Sequence, residues 1–575
     1  MSGPLSPAAE LLSRQLGLSR TVAGWLVRHG RSEPERARRF LLPRLADLTS
    51  PEGMADRSAV AERLARAIRR RERIAVFGDY DCDGITSAAI LTEVLRRLGG
   101  DAVPLIASRF DGGYGVSGAA SRRILETQAR VLVTCDCGSS DHDSLEALRA
   151  RGMDVIVIDH HLVPERALPA LGFLNPHRPE CRFQYKGLAS CGLAFSVAAA
   201  LRKELQVDLD VRYWLDLVAV GTIADVAPLD GDNRCLVRAG LLAIQEARRP
   251  GMLALLEVAK ISRDLPLTGR DVAFRIAPQL NAPGRLGSAD LALELLLAPD
   301  LTSARSLAAR LDELSSERRA QSESILLQAQ EEIASQGFER HAAIVIGRKG
   351  WNPGVVGIVA GRLADQLGRP VIVVGFDEQS GRGSVRGPVG SRLYDALSQA
   401  SDVLVRFGGH QQAAGMELLE ERLPEFRERF VEAVSRQPAL PPPDLEAGVL
   451  QLQPGDELLG VLADLDRLEP CGFGNPRPRL RARGQVLEAR EVKNGHLKLV
   501  LDLGERRPLG CFAVRRGAAA GELRGRRVDV VGDLRHNTYP GGAGVELFVE
   551  QVVLSDAERL AGSVADSAVS EALPS

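Results

Sequence analysis

Gly78-Asp79-Tyr80-Asp81-Cys82-Asp83-Gly84 decides the fold, because it sets three carboxylates directly after the apolar run Ile74-Ala75-Val76-Phe77. A short apolar run of this kind predicts a strand buried on both faces of a parallel sheet. Two further stretches repeat the layout. Val131-Leu132-Val133-Thr134 runs into Cys135-Asp136-Cys137-Gly138, and Val155-Ile156-Val157-Ile158 runs into Asp159-His160-His161. Ligands of open α/β sheets collect at the carboxyl ends of the strands, so the three acidic turns are expected to meet in one crevice. Carboxylates crowded in this way repel one another and lose solvation unless cations or protons join them. The pattern therefore predicts divalent metal, and a pair of ions about 4 Å apart is the usual engine of phosphoester hydrolysis.

Oxygen-rich ligation with an occasional imidazole suits manganese or magnesium. Cys82, Cys135 and Cys137 leave thiolate-bound zinc as the alternative. Alternation along an extended chain would point Cys135 and Cys137 one way and Asp136 the other, which assigns the thiols to packing.

A chain of 575 residues exceeds a single core and predicts three or four domains. With 73 basic and 75 acidic residues the net field attracts no polyanion, so such a partner must be held by local basic patches. Eight cysteines without regular spacing are expected to be reduced thiols of a cytosolic protein. Met1 to Arg20 has no apolar core followed by a cleavage site, and no run approaches the ~18 apolar residues of a membrane span. A soluble intracellular protein is expected.

Along the chain, residues 1–58 are expected to form a helical or extended segment packing on the domain that follows. A domain is expected over 59–299; from Ala59 to Asp225 strand-like and helix-like segments alternate, as in an α/β domain, with a helix over Ile85 to Leu98 after the first acidic turn. Asp300 to Gln336 contains neither Pro nor Gly and predicts a long connecting helix over 300–337. A smaller α/β domain is expected over 338–437, and Pro438-Ala439-Leu440-Pro441-Pro442-Pro443 marks its end. Over 444–555 short β-like runs at Gln485 to Glu488, Leu497 to Leu503, Pro508 to Val514, Arg527 to Val531 and Val545 to Val553 predict a closed five-stranded barrel. Between Arg477 and Arg535 basic residues outnumber acids about two to one. Such a barrel suits single-stranded nucleic acid, with Phe473, Phe512 and Tyr539 as stacking surfaces; a merely solvated arginine-rich surface is the alternative. Residues 556–575 are expected to be a flexible tail.

The order of these motifs resembles the DHH phosphoesterase superfamily, and within it the single-strand-specific exonucleases. Gly78 to Gly84 is similar to the family's GDYDxDG motif, Asp136 to its second-motif aspartate, and Asp159-His160-His161 to its name-giving triplet. Gly221 to Leu229 resembles the fourth motif, Ala277 to Arg285 the fifth, and Phe407-Gly408-Gly409-His410 with Ala413-Ala414-Gly415 the glycine-rich signature of the DHH-associated domain. Cys471 to Pro476 and Asn494 to Lys498 resemble the family's nucleic-acid-binding barrel. The resemblance implies an α/β fold with a DHH parallel-sheet domain, a long connecting helix, a smaller α/β DHH-associated domain and a C-terminal OB-fold β-barrel. Three departures stand out. Cys137 replaces a common Asn, Asn352 stands where His is common, and Ser380 to Gly387 aligns in more than one register.

By resemblance and position, the metal ligands are Asp79, Asp81, Asp83, Asp136, His160 and Asp225, with Asp136 as the bridge and Asp79 either ligating or orienting a neighbour. His161, Asp136, Asn281 and Arg285 are the candidate catalytic residues; adjacent extended residues point oppositely, which frees His161 to protonate a leaving oxygen. Arg109, Tyr114, Arg285, Arg382, Ser384, Arg386, Gly408, Gly409 and His410 are the candidate phosphate and DNA contacts. The function implied is metal-dependent 5′→3′ hydrolysis of single-stranded DNA to mononucleotides in repair and recombination, with two Mn or Mg ions as cofactor. Implied too are a monomer, no membrane, a nucleoid-associated cytoplasmic location, and a RecQ-type helicase and a single-stranded-DNA-binding protein as partners. A phosphodiesterase of short RNA or small phosphate esters, and a non-catalytic replication scaffold, are the competing expectations.

Overall fold

The computed structural model describes residues 6–378, 380–411, 413–440, 448–453, 455–504, 508–537 and 544–554. The chain divides into two compact units, one spanning Leu48–Pro442 and the other assembled from Met1–Asp47 and Pro443–Ser575.

In the larger unit the first sheet contains β1 (Arg73–Gly78), β2 (Asp101–Ile106), β3 (Val131–Cys135), β4 (Asp154–Ile158) and β5 (Gly172–Leu174). The order is β2-β1-β3-β4-β5 and every pairing is parallel. The apolar runs of the three acidic motifs are thus neighbours, and their carboxyl ends lie side by side. The helix Cys82–Arg97 starts three residues before the expected Ile85, since Asp81 caps it: its carboxylate accepts the Asp83 and Gly84 amides at 3.0 and 3.1 Å. Glycine is required at this corner by close approach. A Cβ on Gly84 would lie 2.5 Å from both the backbone N and O of Asp79, and one on Gly78 would lie 2.5 Å from the Gly84 carbonyl.

The helix Leu301–Gln336 runs for 36 residues, opened by Asp300 accepting the Ser303 amide at 2.9 Å and closed by Gly337 in the left-handed conformation. It leads to a mixed sheet of β6 (Ile344–Lys349), β7 (Val371–Phe376), β8 (Ser380–Arg386), β9 (Arg406–Gly409) and β10 (Ala413–Leu419), ordered β6-β7-β8-β10-β9. One face of this sheet packs on Phe426 and Phe430. The other buries Ile344 and Ile346 against Val359 and Leu363 of the helix Val356–Leu367, and against Ile325 and Ile333 of the long helix.

In the other unit β11 (Val449–Gln451), β12 (Arg479–Val492), β13 (His496–Asp502), β14 (Pro508–Ala513), β15 (Arg527–His536) and β16 (Val545–Leu554) form one sheet. Pairing of β12 with β15 closes five of these strands into the barrel, and β11 adds to β12 in parallel. β12 is far longer than the expected Gln485 to Glu488. Arg479, Arg481 and Arg483 alternate with the buried Leu480 and Ala482, so the half-buried strand begins in a stretch that composition alone makes polar.

The first 47 residues, part of the segment expected to pack on the domain that follows, build their core with the C-terminal part of the chain. Leu12, Val22, Leu26 and Leu41, from the helices Pro7–Leu16, Arg20–Arg28 and Pro34–Leu41, share one core with Leu450, Val461, Leu465 and Leu480. The amino end of Arg20–Arg28 is fixed by carboxylates of the same unit: Ser19 N donates to Asp464 at 2.6 Å and Thr21 N to Asp456 at 2.7 Å. An amphipathic helix announces that it buries a face, not what it buries it against. Thr49, by contrast, belongs to the larger unit, where its hydroxyl donates to Asp232 at 2.9 Å.

Phe473 is exposed, whereas Phe512 is half-buried between His496 and Phe548. Tyr539, Arg506, Arg507, Pro441 to Pro443 and the tail over 556–575 lie outside the described residues. No helix among the described residues is long and apolar enough to cross a membrane.

Candidate metal centre

The three acidic turns and the fourth motif meet in one place. Three overlapping groups of side chains present ligand atoms within 4.8 Å of one another: Asp79, Asp81 and Asp136; Asp136, His160 and His161; and Asp83, His160 and Asp225. His160 Nε2 lies 3.3 Å from Asp136 Oδ1, 3.6 Å from Asp225 Oδ2 and 4.0 Å from Asp83 Oδ2. Asp136 and His160 each belong to two of the groups.

Asp83 and Asp136 are held by backbone amides and a small side chain. Asp83 accepts the Ser190 and Cys191 amides at 2.6 and 2.9 Å, at the amino end of the helix Ser190–Leu205, where the helix dipole favours an anion. Ser190 Oγ donates to Asp136 Oδ1 at 3.0 Å. Asp136 itself stands just past β3 with φ +64°, a left-handed turn that aims its carboxylate into the crevice; strand alternation does not apply to it. Asp225 terminates the helix Leu215–Ala224, and the next residue, Val226, sits at φ +57°, strained for a β-branched side chain.

The histidines differ from expectation in one respect, since both rings face the acids. Their ring centroids are 4.7 Å apart, and His161 Nδ1 lies 3.8 Å from Asp136 Oδ1. What separates them is Asp159, a residue absent from the expected site. Its Oδ1 accepts the amides of His160 and His161 at 2.8 and 3.1 Å and His161 Nδ1 at 2.7 Å, while Oδ2 accepts the Ser139 amide at 3.1 Å. The Tyr114 hydroxyl donates to the Asp136 carbonyl at 3.0 Å and lies 3.1 Å from His161 Nδ1, so Tyr114 braces this pair. Burial works against a charged His161, but the Asp159 hydrogen bond and charge outweigh it and raise the imidazole to about 9. Asp159 is buried too, yet His161 holds it below the usual carboxylate range. Burial pulls His160 down, leaving the neutral imidazole that metal ligation requires.

These residues fit divalent metal. Burial, reinforced by neighbouring acids, pushes Asp79 and Asp136 well above the carboxylate range and Asp225 up to about 8. Burial also raises Asp83. His160 Nε2 and Asp79 Oδ1 are buried with no hydrogen-bond partner among the described residues. Orphaned ligand atoms facing mutually repelling carboxylates are what a pair of hard cations would satisfy. Cysteine takes no part in the three groups. Cys82 donates to the Ala277 carbonyl at 3.5 Å and Cys137 to that of Cys135 at 3.6 Å, and burial raises both thiols, so they stay protonated and pack.

A cationic cluster adjoins the acids. Arg109 lies over the Tyr80 ring at 4.3 Å, next to Asp79 and Asp81 in sequence, and its Nε is buried without a partner among the described residues. Arg285 is pulled down to about 10 by burial and by the guanidiniums of Arg109, Arg318 and Arg386. Arg318, on the long helix, was not anticipated; nothing in a run of exposed helical charges distinguishes it. Arg382 acts indirectly, since its Nη1 donates to the Arg109 carbonyl at 3.0 Å and so fixes that loop. Ser384 and Arg386 lie against Gly357 in the first turn of Val356–Leu367, where a Cβ would come 3.0 Å from Ser384 Oγ. Gly408 pairs with Gly415, and Gly415 with Ser384, which places Gly408, Gly409 and the exposed His410 two strands from that serine. Asn281 is half-buried at the end of Ala277–Asn281, one turn before Arg285. Arg285 Nη1 donates to the Gly354 carbonyl at 3.1 Å, and Asn352 receives the Gly354 amide at 2.8 Å while donating to Gln321 at 3.0 Å. Asn352 is thus a brace between its loop and the long helix.

Comparison with known proteins agrees with this geometry. Residues 73–222 match the DHH family N-terminal domain, 340–436 the DHHA1 domain and 450–551 the RecJ OB domain. The single-stranded-DNA-specific exonuclease RecJ of Bacillus subtilis (strain 168) is 35% identical over 95% of this chain and 69% of its own length. RecJ of Thermus thermophilus in complex with Mn2+ superposes with a TM-score of 0.79 at 32% identity, covering 97% of this chain and 79% of the other. The same protein in complex with Mg2+ gives 0.74 at 31% identity, covering 97% and 78%. Fold and centre together define a phosphoesterase of the DHH class that carries a DHHA1 domain and an OB barrel. Within that class the chain belongs to the RecJ family of single-stranded-DNA-specific exonucleases.

Proposed function

We propose that the protein is a metal-dependent exonuclease that enters single-stranded DNA at its 5′ end and releases mononucleotides in repair and recombination. The 5′→3′ direction rests on the family likeness; one observation supports entry at a chain end: Arg109, held over Tyr80 beside the acids, belongs to the same cationic cluster as Arg285, Arg318 and Arg386. An uncompensated set of guanidiniums beside a hydrolytic centre favours a chain end whose phosphate carries more charge than an internal diester.

Asp79, Asp81, Asp83, Asp136, His160 and Asp225 would hold two Mn or Mg ions. When bound, such ions activate water and offset charge on the phosphate. The chain supplies the rest. Ser384, Arg386 and the first turn of Val356–Leu367 receive the terminal phosphate, with Arg109 beside them and Arg382 fixing the Arg109 loop. Arg285 and Asn281 clamp the scissile phosphate. His161, kept protonated by Asp159, gives its proton from Nε2 to the departing O3′. Phe473 and the arginines of β12 hold the trailing strand. A RecQ-type helicase and a single-stranded-DNA-binding protein are the partners that fit such a substrate, and nucleoid-associated cytoplasm is its place.

The test incubates the protein and manganese with linear 5′-phosphorylated, linear 5′-hydroxyl and circular single-stranded DNA, alongside duplex DNA, short RNA and pyrophosphate. Linear single strands should be degraded to mononucleotides from the 5′ end and circles spared. Arg109→Ala should slow the phosphorylated substrate roughly ten- to a hundredfold, as expected for a lost charge-assisted contact, and the hydroxyl substrate far less. Cleavage of circles would make the protein an endonuclease, and preferential turnover of short RNA or pyrophosphate would move it to another branch of the superfamily.

A further inference from the structure

The strands that deliver the acids begin at the other end of the sheet, and that end has a cavity of its own. About 210 Å3 in volume, it is lined by Arg63, Arg66, Arg70 and Arg130, with Glu72 and Asp154. Arg130 directly precedes β3, and Asp154 opens β4. Four guanidiniums face two carboxylates, an excess of two positive charges.

Arg63 is only 5% exposed, which for a guanidinium demands a reason. Two of its nitrogens have one: Nε lies 2.6 Å from Asp154 Oδ2, and Nη2 lies 2.7 Å from Glu72 Oε2. The third, Nη1, is buried with no hydrogen-bond partner among the described residues. Both carboxylates lie within ion-pair distance of Arg63, Glu72 Oε2 without a hydrogen-bond partner among the described residues, and the exposed Arg66, Arg70 and Arg130 add charge beyond that of the two acids. The nearest carboxylate contact of Arg70 is loose, 4.0 Å from Glu72 Oε1. A buried donor without an acceptor calls for an occupant, and the charge excess states its sign.

We infer that this cavity binds a phosphate group. A phosphate dianion matches the excess charge, and its oxygens match guanidinium edges in paired fashion. The volume is ample for a phosphate. The shared chemistry belongs to inorganic phosphate and to a nucleoside 5′-monophosphate alike.

Calorimetric titration of the full-length chain tests it, with sodium phosphate and deoxycytidine 5′-monophosphate as probes and sodium chloride at equal ionic strength as control. Arg386→Ala serves as background, to remove anion binding at the metal centre. Saturable phosphate binding should persist in that background and weaken by about tenfold or more on adding Arg66→Glu and Arg70→Glu. Both arginines are exposed, so the fold should tolerate the exchange, and an unchanged melting temperature checks this. Equal binding of nucleotide and phosphate identifies a phosphomonoester pocket; binding of phosphate alone identifies a pocket for the free anion. Undiminished binding in the charge-reversed protein, or phosphate heats no larger than chloride heats, overturns the inference.

Discussion

Asp159 hydrogen-bonds both histidine amides and the His161 ring, which makes it the organiser of a triplet whose other two members face the acids. Asp159→Asn keeps the shape but removes the charge that maintains His161 as imidazolium. It should lower kcat on single-stranded DNA by about 10²-fold, the low end of general-acid effects, with KM little changed and the loss growing above neutral pH. A kcat within twofold of the parent across pH 6–9 would leave His161 without its acid role. The acids themselves predict a second behaviour, in metal-free protein. Asp225 stands at about 8 when folded against 3.8 unfolded, and Asp79, Asp83 and Asp136 are raised as well. Groups raised on folding leave stability intact below their unfolded values and erode it as pH climbs towards the folded ones. The melting temperature of chelator-treated protein should therefore fall between about pH 4 and pH 8, and manganese should abolish the fall. The acids of the first three turns were legible in the sequence because each turn follows an apolar run directly, and Asp225 through the likeness of Gly221 to Leu229 to the fourth motif. Asp159 was not picked out, because the two histidines beside it offered the more obvious ligands.

At the scale of elements, the corner between β1 and Cys82–Arg97 is a tight joint of the site. Gly84→Ala would drive a methyl to within 2.5 Å of Asp79 backbone, where neither partner is a flexible side chain. The substitution should cost about 3 kcal/mol or more in denaturant unfolding and displace Asp79 and Asp81, with loss of activity at saturating manganese. A change below ~1 kcal/mol would mean that the corner relaxes freely. The strand runs, the long helix and the barrel could all be read from periodicity and from the placement of Pro and Gly. Arg318 could not, because its importance arises only where three other segments bring Arg109, Arg285 and Arg386 to the same helix. Convergence of that kind leaves no local trace. Asn352 is the reverse case, a departure visible in sequence whose meaning is supplied by its bonds to Gly354 and Gln321.

On the scale of the whole molecule, the smaller unit is discontinuous in sequence, drawing Leu12, Val22, Leu26 and Leu41 into the core that holds the barrel residues. Removing residues 443–575 alone strips those helices of their cover, whereas removing 1–47 as well takes the entire unit away. The single deletion should give an aggregation-prone protein and the double deletion a soluble one, measured by light scattering and thermal melting. The double deletion should also bind single-stranded DNA with a shallower salt dependence than the full chain, because lost arginine contacts release fewer counterions. Equal solubility of the two deletions would argue that the N-terminal helices are covered without the barrel.

That split core imposes an order in time. The segments that complete the unit are separated by some 400 residues, which at about 5–20 residues per second is a wait of roughly 20–80 s on the ribosome. Throughout it the apolar faces of three finished helices have no partner, while the catalytic unit can fold and close behind them. The unit that carries most of the arginine-rich barrel is thus the last to form, so a chain cut short during synthesis carries the acids without the basic platform.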